Sequence, residues 1–397
     1  MKNKMDSGKK SIHIGGVFYG LHNIGDEGIL YSMIQTFHEK YQVSVSSYDS
    51  EWISNYFSNV EIRPVDIVYD RPKMGLRSLP RRKIIDNMIK NKDYQKYIKT
   101  KDAFICGGAT ILSDCPWHSL RMAELAGRSG IPVYFWGVGM AEVGDTDTTE
   151  YIRFVLNKPY VKKIYVRDEL VRDRLVSMGI NRNKTGISYD PAVMLEGETF
   201  NLEDYLSSFQ AELYKNECPN IIITLSGEAD VVEKTPVDVI SACIGKMQER
   251  YRANIFLIPT GCGKHCKDIE FLKNIAKELN VPEISVIEKE FSPQNLVEFL
   301  KQADLILSSR LHMNIFGACA GVPSIGLVRN RKIIDFAELH GLPYLELSDL
   351  SQKQLLEMTD EVFSNRNAYR EKIKNNISKM REQYMISAYE LQKLIDG

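Results

Sequence analysis

The sequence predicts an α/β protein: two doubly wound Rossmann-like domains facing a cleft, closed by C-terminal helices. Three observations lead there. Short β-branched and aromatic runs alternate with longer segments of helical period, the pattern of parallel strands covered on both faces. The series stops at a polar stretch, EGETFNLEDYLSSFQAELYKNE, which reads as a linker plus a helix, and restarts at Asn220. After about residue 348 the chain turns wholly helical. The expected divisions are residues 1–197, 198–348 and 349–397.

In order, the first series of strands is SIHIGGVFYG, QVSVSSY, EIRPVDIVY, DAFICGG, IPVYFWGVG and KIYVRD. Between them GILYSMIQTFHEKY, WHSLRMAELAGRSG and ELVRDRLVSMG have helical period. The second series is NIIITLSG, ANIFLIPTG, EISVIEKE, ADLILSSR and VPSIGLV, with helices DIEFLKNIAKELN and SPQNLVEFLKQA. In the last segment Tyr369, Ile373, Ile377, Met380, Tyr384, Ala388, Leu391 and Ile395 recur every three or four residues, which marks one buried stripe on a helix.

Composition narrows the function classes. At 397 residues, 44% hydrophobic and 26% charged, the chain matches globular proteins. A formal net charge of −1 gives no general attraction to nucleic acid or an anionic membrane. The start, MKNKMDSGKK, lacks a secretory pattern, and the seven cysteines are scattered and odd in number, so a reducing cytoplasm is expected. No apolar run reaches the ~18–20 residues that span a bilayer. Cys262, His265 and Cys266 sit together in GCGKHC, but a closed zinc site needs a second cluster and none follows. No metal site is expected. From Arg71 to Lys83, RPKMGLRSLPRRK holds six basic residues and no acidic one. It is either a solvated loop or a patch for an anionic acceptor or lipid headgroup at the inner face of the membrane.

Chemistry-bearing residues gather at strand ends, where open α/β sheets bind ligands. The loop after the first strand carries Asn23, Asp26 and Glu27. It lacks G-x-G-x-x-G, so it is no dinucleotide fingerprint, and capping by Asp26 alone leaves the other two unexplained. Gly107 and Gly108 end another strand, as Gly137 and Gly139 do. They serve either a tight turn or close backbone approach by a ligand. Arg167 and Asp168 end a further strand. Arg167 either points into the cleft or pairs with Asp168 or a helix carboxylate. The richest stretch is LILSSRLHMN, in which Arg310 and His312 are two apart. On a continued strand they share a face. At a helix start they share the first turn, where amides and dipole favour an anion. Arg suits bidentate anion binding, and His exchanges a proton near neutral pH.

Taken together, YGLHNIGDEGIL, ICGGATILSD, FWGVGM, YVRDELVRDRL, YDPAVML, SSRLHMNIFGACAGVPSIGL and NRKIIDFAELHGLP resemble the polysaccharide pyruvyl transferase family over residues 12–345. That family is similar in architecture to two-domain glycosyltransferases of the B type. The resemblance implies transfer of the enolpyruvyl unit of phosphoenolpyruvate onto a sugar of a cell-surface polysaccharide or its precursor. The product is a pyruvate ketal, phosphate is released, and no cofactor is used beyond the donor substrate. It makes the first domain the acceptor side and the second the donor side. Arg310 and His312 match the family's donor-binding pair, with Ser309 and Leu311 beside them, and Arg167 matches its strand-end RD motif. Two departures stand out: CGGAT is shorter than the usual glycine run, and the helix after GDE starts on Gly28, a poor helix former.

Phosphoenolpyruvate carries a carboxylate and a phosphate, so its site needs separate cationic anchors. Arg167 and Arg310 are the expected anchors, His312 the expected acid or phosphate-facing donor, and Asp26 or the adjacent Glu27 the base. The acceptor is a sugar or a lipid-linked oligosaccharide. Two rivals remain: a nucleotide-sugar glycosyltransferase, with Glu288 or Glu290 in IEKEF as its ribose contact, and a non-catalytic binding protein that keeps the cleft.

Overall fold

A computed structural model describes residues 8–17, 19–58, 60–64, 92–113, 116–228, 237–263 and 266–397. The basic stretch Arg71–Lys83, Lys264 and His265 lie outside the described residues.

The chain forms two compact units that interleave along the sequence. The first holds the residues up to Leu21, Ile29–Pro191 and Glu382–Gly397; the second holds His22–Gly28 and Ala192–Arg381. These are not the consecutive blocks 1–197, 198–348 and 349–397 expected from sequence. Two helices, Ile24–Phe37 and Arg366–Asp396, each carry the chain from one unit to the other, and no sequence pattern marks a boundary inside a continuous helix.

In the first unit, β1 (Ser11–Gly15), β2 (Gln42–Ser47), β3 (Glu61–Pro64), β4 (Ala103–Gly107), β5 (Val133–Val138), β6 (Val161–Val166) and β7 (Thr185–Ile187) form one parallel sheet in the order β3-β2-β1-β4-β5-β6-β7. In the second, β8 (Asn220–Thr224), β9 (Asn254–Leu257), β10 (Ile284–Val286), β11 (Leu305–Ser308), β12 (Ser324–Val328) and β13 (Tyr344–Glu346) pair as β10-β9-β8-β11-β12-β13. Both orders reverse direction once, between β1 and β4 and between β8 and β11. That reversal makes each unit doubly wound and opens a crevice beyond its strand ends. The expected fold class is the one observed.

Packing follows from composition. Ile221, Ile223, Ile255, Leu257, Leu305, Leu307, Ile325 and Leu327 lie in the core on one face of the second sheet, and Ile222, Phe256 and Ile306 on its other face are equally buried, because parallel strands covered on both faces tolerate no exposed face. In the first unit Trp136 packs edge-on against Tyr165 and Tyr384, and its Nε1 donates to the Tyr384 hydroxyl at 3.2 Å. The predicted stripe of the last helix is buried from Ile373 through Ile395. The linker helix, Ser208–Lys215, starts with a reciprocal capping box between Ser207 and Gln210.

Candidate active site

β11 ends at Ser308 and a helix begins at Leu311. Of the two geometries open in sequence, the helix start is realised. Arg310 is its N-cap in extended conformation, and no side chain caps the first turn, so that turn keeps amides for a ligand. Ser308 and Ser309 build the corner. The Ser308 Oγ accepts from the Arg310 amide at 3.0 Å and donates to its carbonyl at 2.9 Å. Ser309 is buried; its Oγ accepts from the Ser226 amide at 2.9 Å, while its own amide donates to the Thr224 carbonyl at 3.0 Å. Ser309 therefore stitches β11 to the end of β8. Leu311 and His312 follow, each partly exposed.

Arg310 lies within a charge cluster. Its Nη2 donates to Asp268 Oδ1 at 2.7 Å, and its Nη1 to Glu228 Oε1 at 2.8 Å. Burial alone would lower its pKa; Asp268 and then Glu228 outweigh that and raise it. Arg329, just past β12, donates to Glu228 Oε2 at 2.5 Å and to Ser226 Oγ at 3.0 Å. Burial would raise the Glu228 pKa, but the two arginines hold it below the usual carboxylate range. Sequence reasoning missed Glu228, Asp268 and Arg329. Arg329 directly follows β12, Glu228 lies four residues past β8 and Asp268 opens a helix, but Asp268 in DIEF reads as an ordinary first-turn acid, and Arg329 in VRNRK as surface charge. Cys266 Sγ lies 3.9 Å from Arg310 Nη2. Burial pushes the Cys266 thiol up, and the Cys262 thiol up to about 12.

The GDE loop lies in this same unit. Residues 22–24 lie along 260–262: Ile24 donates to the Thr260 carbonyl at 3.0 Å, and Cys262 to the His22 carbonyl at 2.8 Å. His22 Nδ1 also meets Glu290 Oε2 at 3.0 Å. The helix starts at Ile24, four residues before the expected Gly28. The packing requires both glycines near its start. A Cβ on Gly25 would lie 2.1 Å from His312 Nδ1, and one on Gly28 would meet Phe316 at 2.9 Å and Leu195 at 3.0 Å. Asn23 Oδ1 accepts from the Gly25 amide, and its Nδ2 donates to Asp26 Oδ2 at 2.9 Å. Asn23, not Asp26, thus serves the helix end, and it orients the Asp26 carboxylate. Glu27 is buried, whereas Asp26 is partly exposed. Placing the loop with the first domain is thereby corrected, since its backbone bonds run to the segment after β9.

In the first unit, Arg167 pairs with neither Asp168 nor a helix carboxylate. Its Nη2 lies 3.0 Å from Asp190 Oδ2, both side chains are buried, and its Nε donates to the Gly137 carbonyl at 3.1 Å. Asp168 caps the following helix through the Val171 amide. The close approach at Gly107 and Gly108 is to Met33 and Ile29, whose side-chain carbons would lie 2.1 and 2.0 Å from an added Cβ. The Gly108 amide donates to the Trp136 carbonyl. These glycines let a helix sit close on the sheet. Gly137, at φ +62, lies against Pro191. Among the described residues no group of three or more His, Cys, Asp or Glu is placed to hold a metal, and no helix is long and apolar enough to cross a membrane.

A sequence model described as polysaccharide pyruvyl transferase matches residues 23–331. No curated protein matches by sequence. Among solved structures, UDP-GlcNAc 2-epimerase from Neisseria meningitidis bound to UDP-GlcNAc is similar with TM-score 0.64 and 14% identity, over 97% of this chain and 100% of that one. A glycosyltransferase from Rickettsia africae gives 0.61 and 14%, over 98% and 99%. UDP-GlcNAc 2-epimerase from Methanocaldococcus jannaschii gives 0.59 and 15%, over 89% and 92%. At these identities the likeness is one of fold, the architecture expected from the B-type glycosyltransferases.

Proposed function

We propose that this chain, which belongs to the polysaccharide pyruvyl transferase family, transfers the enolpyruvyl unit of phosphoenolpyruvate to a sugar as a ketal. The observation that carries the reading is that one unit holds both the uncapped helix start of Arg310 and His312 and the loop of Asn23 and Asp26, whose Gly25 stands against His312. That set offers a cation for an anionic donor, an imidazole for proton transfer and an oriented carboxylate as base.

The chemistry balances without a redox partner. A proton adds to the methylene carbon of phosphoenolpyruvate, and an acceptor hydroxyl attacks the carbon that bears phosphate. The C–O bond to phosphate breaks, and a second hydroxyl closes the ring on the same carbon. Of the two hydroxyl protons released, one balances the new methyl group and one leaves with phosphate. In this reading Arg310 anchors the donor, and His312 supplies a proton to the methylene carbon or to the departing phosphate. Asp26, held by Asn23, takes the proton of the attacking hydroxyl. The acceptor is a polysaccharide precursor, free or lipid-linked.

The nucleotide-sugar alternative has less support from side chains. Glu290 is engaged by His22, and Glu288 is an exposed partner of Lys273. Incubation with phosphoenolpyruvate and candidate glycans or glycolipids, read by mass spectrometry, tests the proposal. A mass gain equal to one pyruvate ketal supports it. Stabilisation by UDP-sugars but not by phosphoenolpyruvate, with no ketal formed, refutes it.

A further inference from the structure

Two guanidinium groups share one carboxylate at the ends of β8, β11 and β12. Glu228 presents Oε1 to Arg310 and Oε2 to Arg329, which is how a ligand carboxylate or phosphate would be held. The two acidic partners differ in kind. The Asp268 side chain is wholly buried, and its Oδ1 also accepts from the Gly227 amide at 2.8 Å; it is a fixed counter-ion. The Glu228 side chain is 48% exposed, so water can take over its hydrogen bonds when another anion takes its place. With Glu228 in place the four charges cancel. With it out, one positive charge remains at the sheet's switch point, where ligands bind in such folds.

The rest of the seat is already built. Arg329 is oriented by Ser226 Oγ, and the Ser226 amide is tied to Ser309. The Nε of Arg310 is buried and has no hydrogen-bond partner among the described residues. A buried donor of this kind is costly unless a ligand completes it.

We propose that Arg310 and Arg329 form one seat for an anionic group of the donor, its carboxylate or its phosphate, and that Glu228 fills this seat until the donor displaces it. The inference rests on the donor reading above and adds Arg329 as an anchor and Glu228 as an internal competitor. Exchange of one anion for another keeps the guanidinium groups compensated throughout, and return of Glu228 helps to empty the seat after turnover.

Titration calorimetry with inorganic phosphate and with pyruvate, on the native chain, Glu228→Gln and Arg329→Gln, tests this. Glu228→Gln should bind at least one of the two anions about tenfold more tightly, the reach of one charge-assisted hydrogen bond, and Arg329→Gln should bind it about tenfold more weakly. The anion that responds identifies the donor group that occupies the seat. If Glu228→Gln binds both anions no more tightly than the native chain, the proposal is overturned; because Glu228 is half-exposed, this variant decides even if Arg329→Gln fails to fold. Ketal assays separate the two readings. Anion affinities that shift as expected while no acceptor is pyruvylated would leave the seat standing and remove the donor reading. Ketal formation with unshifted affinities would do the reverse.

Discussion

Replacing Gly25 with alanine should damage the site through a single added methyl group. The new Cβ would lie 2.1 Å from His312 Nδ1, 2.4 Å from its Cγ and 2.9 Å from its Cβ. A change about the Cα–Cβ bond of His312 swings the ring away and relieves the first two contacts but not the third, so the helix start and His312 must separate by roughly 0.5–1 Å to reach ordinary contact. In an unconstrained helix the same change stabilises by up to about 1 kcal/mol. Here overpacking costs about 1–3 kcal/mol and reverses the sign. A displacement near 1 Å at a reacting group costs about 10²-fold in rate. Gly28→Ala is the comparison, because its nearest atoms are the far ends of Phe316 and Leu195, which give way more easily. Urea unfolding and turnover of phosphoenolpyruvate should both show Gly25→Ala as the worse variant. A Gly25→Ala protein more stable than native, with unaltered turnover, would refute the contact and its role in placing His312.

Three further outcomes are expected. His312→Gln should lower turnover about 10²–10⁴-fold while the melting temperature stays near native; near-native turnover would remove His312 from the mechanism. Asp190→Asn breaks a pair buried on both sides and should cost about 3–5 kcal/mol in chemical unfolding, whereas a loss below 1 kcal/mol would show the pair to be dispensable. Acid should weaken the fold through three imidazoles. Burial holds His13 near 3, with Lys101 and Arg63 adding to the shift, and holds His118 and His340 near 4, helped by Arg121 and Lys372 respectively. Their folded pKa values lie below the unfolded 6.5, so the unfolded chain gains protons first and stability falls as pH drops below that value. At pH 5 each contributes a loss of roughly 2 kcal/mol. His13→Gln should flatten the dependence of unfolding free energy on pH between 6.5 and 4; an unchanged slope would count against it.

Much of the fold was legible because parallel strands covered on both faces must be apolar throughout, and runs such as NIIIT and LILS say so directly. β7 and β13 were not read from sequence. Each has three residues and lies at a sheet edge, and TGI and YLE lack the β-branched alternation of EISVI that marks the equally short edge strand β10. The start of the helix Ile24–Phe37 was misplaced for a different reason. Its first turns contain two glycines, and propensity reads IGDEG as loop. Packing overrides propensity there, because Gly25 and Gly28 are the residues that let the helix approach His312 and Phe316.

The site was half legible, and the missing half is the part that sequence does not encode locally. SSRLH announces itself because an arginine and a histidine close a buried strand. What it cannot announce is pairing. Arg310 finds Asp268 from 42 residues away, and Glu228 finds Arg329 across 101. Yet an arginine that serves an intermittent anionic ligand needs compensation when the ligand is absent. With its side chain only 19% exposed, leaving Arg310 unpaired between turnovers would carry a desolvation cost. A buried, immobile Asp268 meets that need permanently and fixes the guanidinium plane. A half-exposed Glu228 meets it only until a ligand arrives. Two carboxylates of different burial around one arginine thus reconcile a preorganised anchor with an exchangeable one, and the difference in their exposure, invisible in the sequence, assigns the roles.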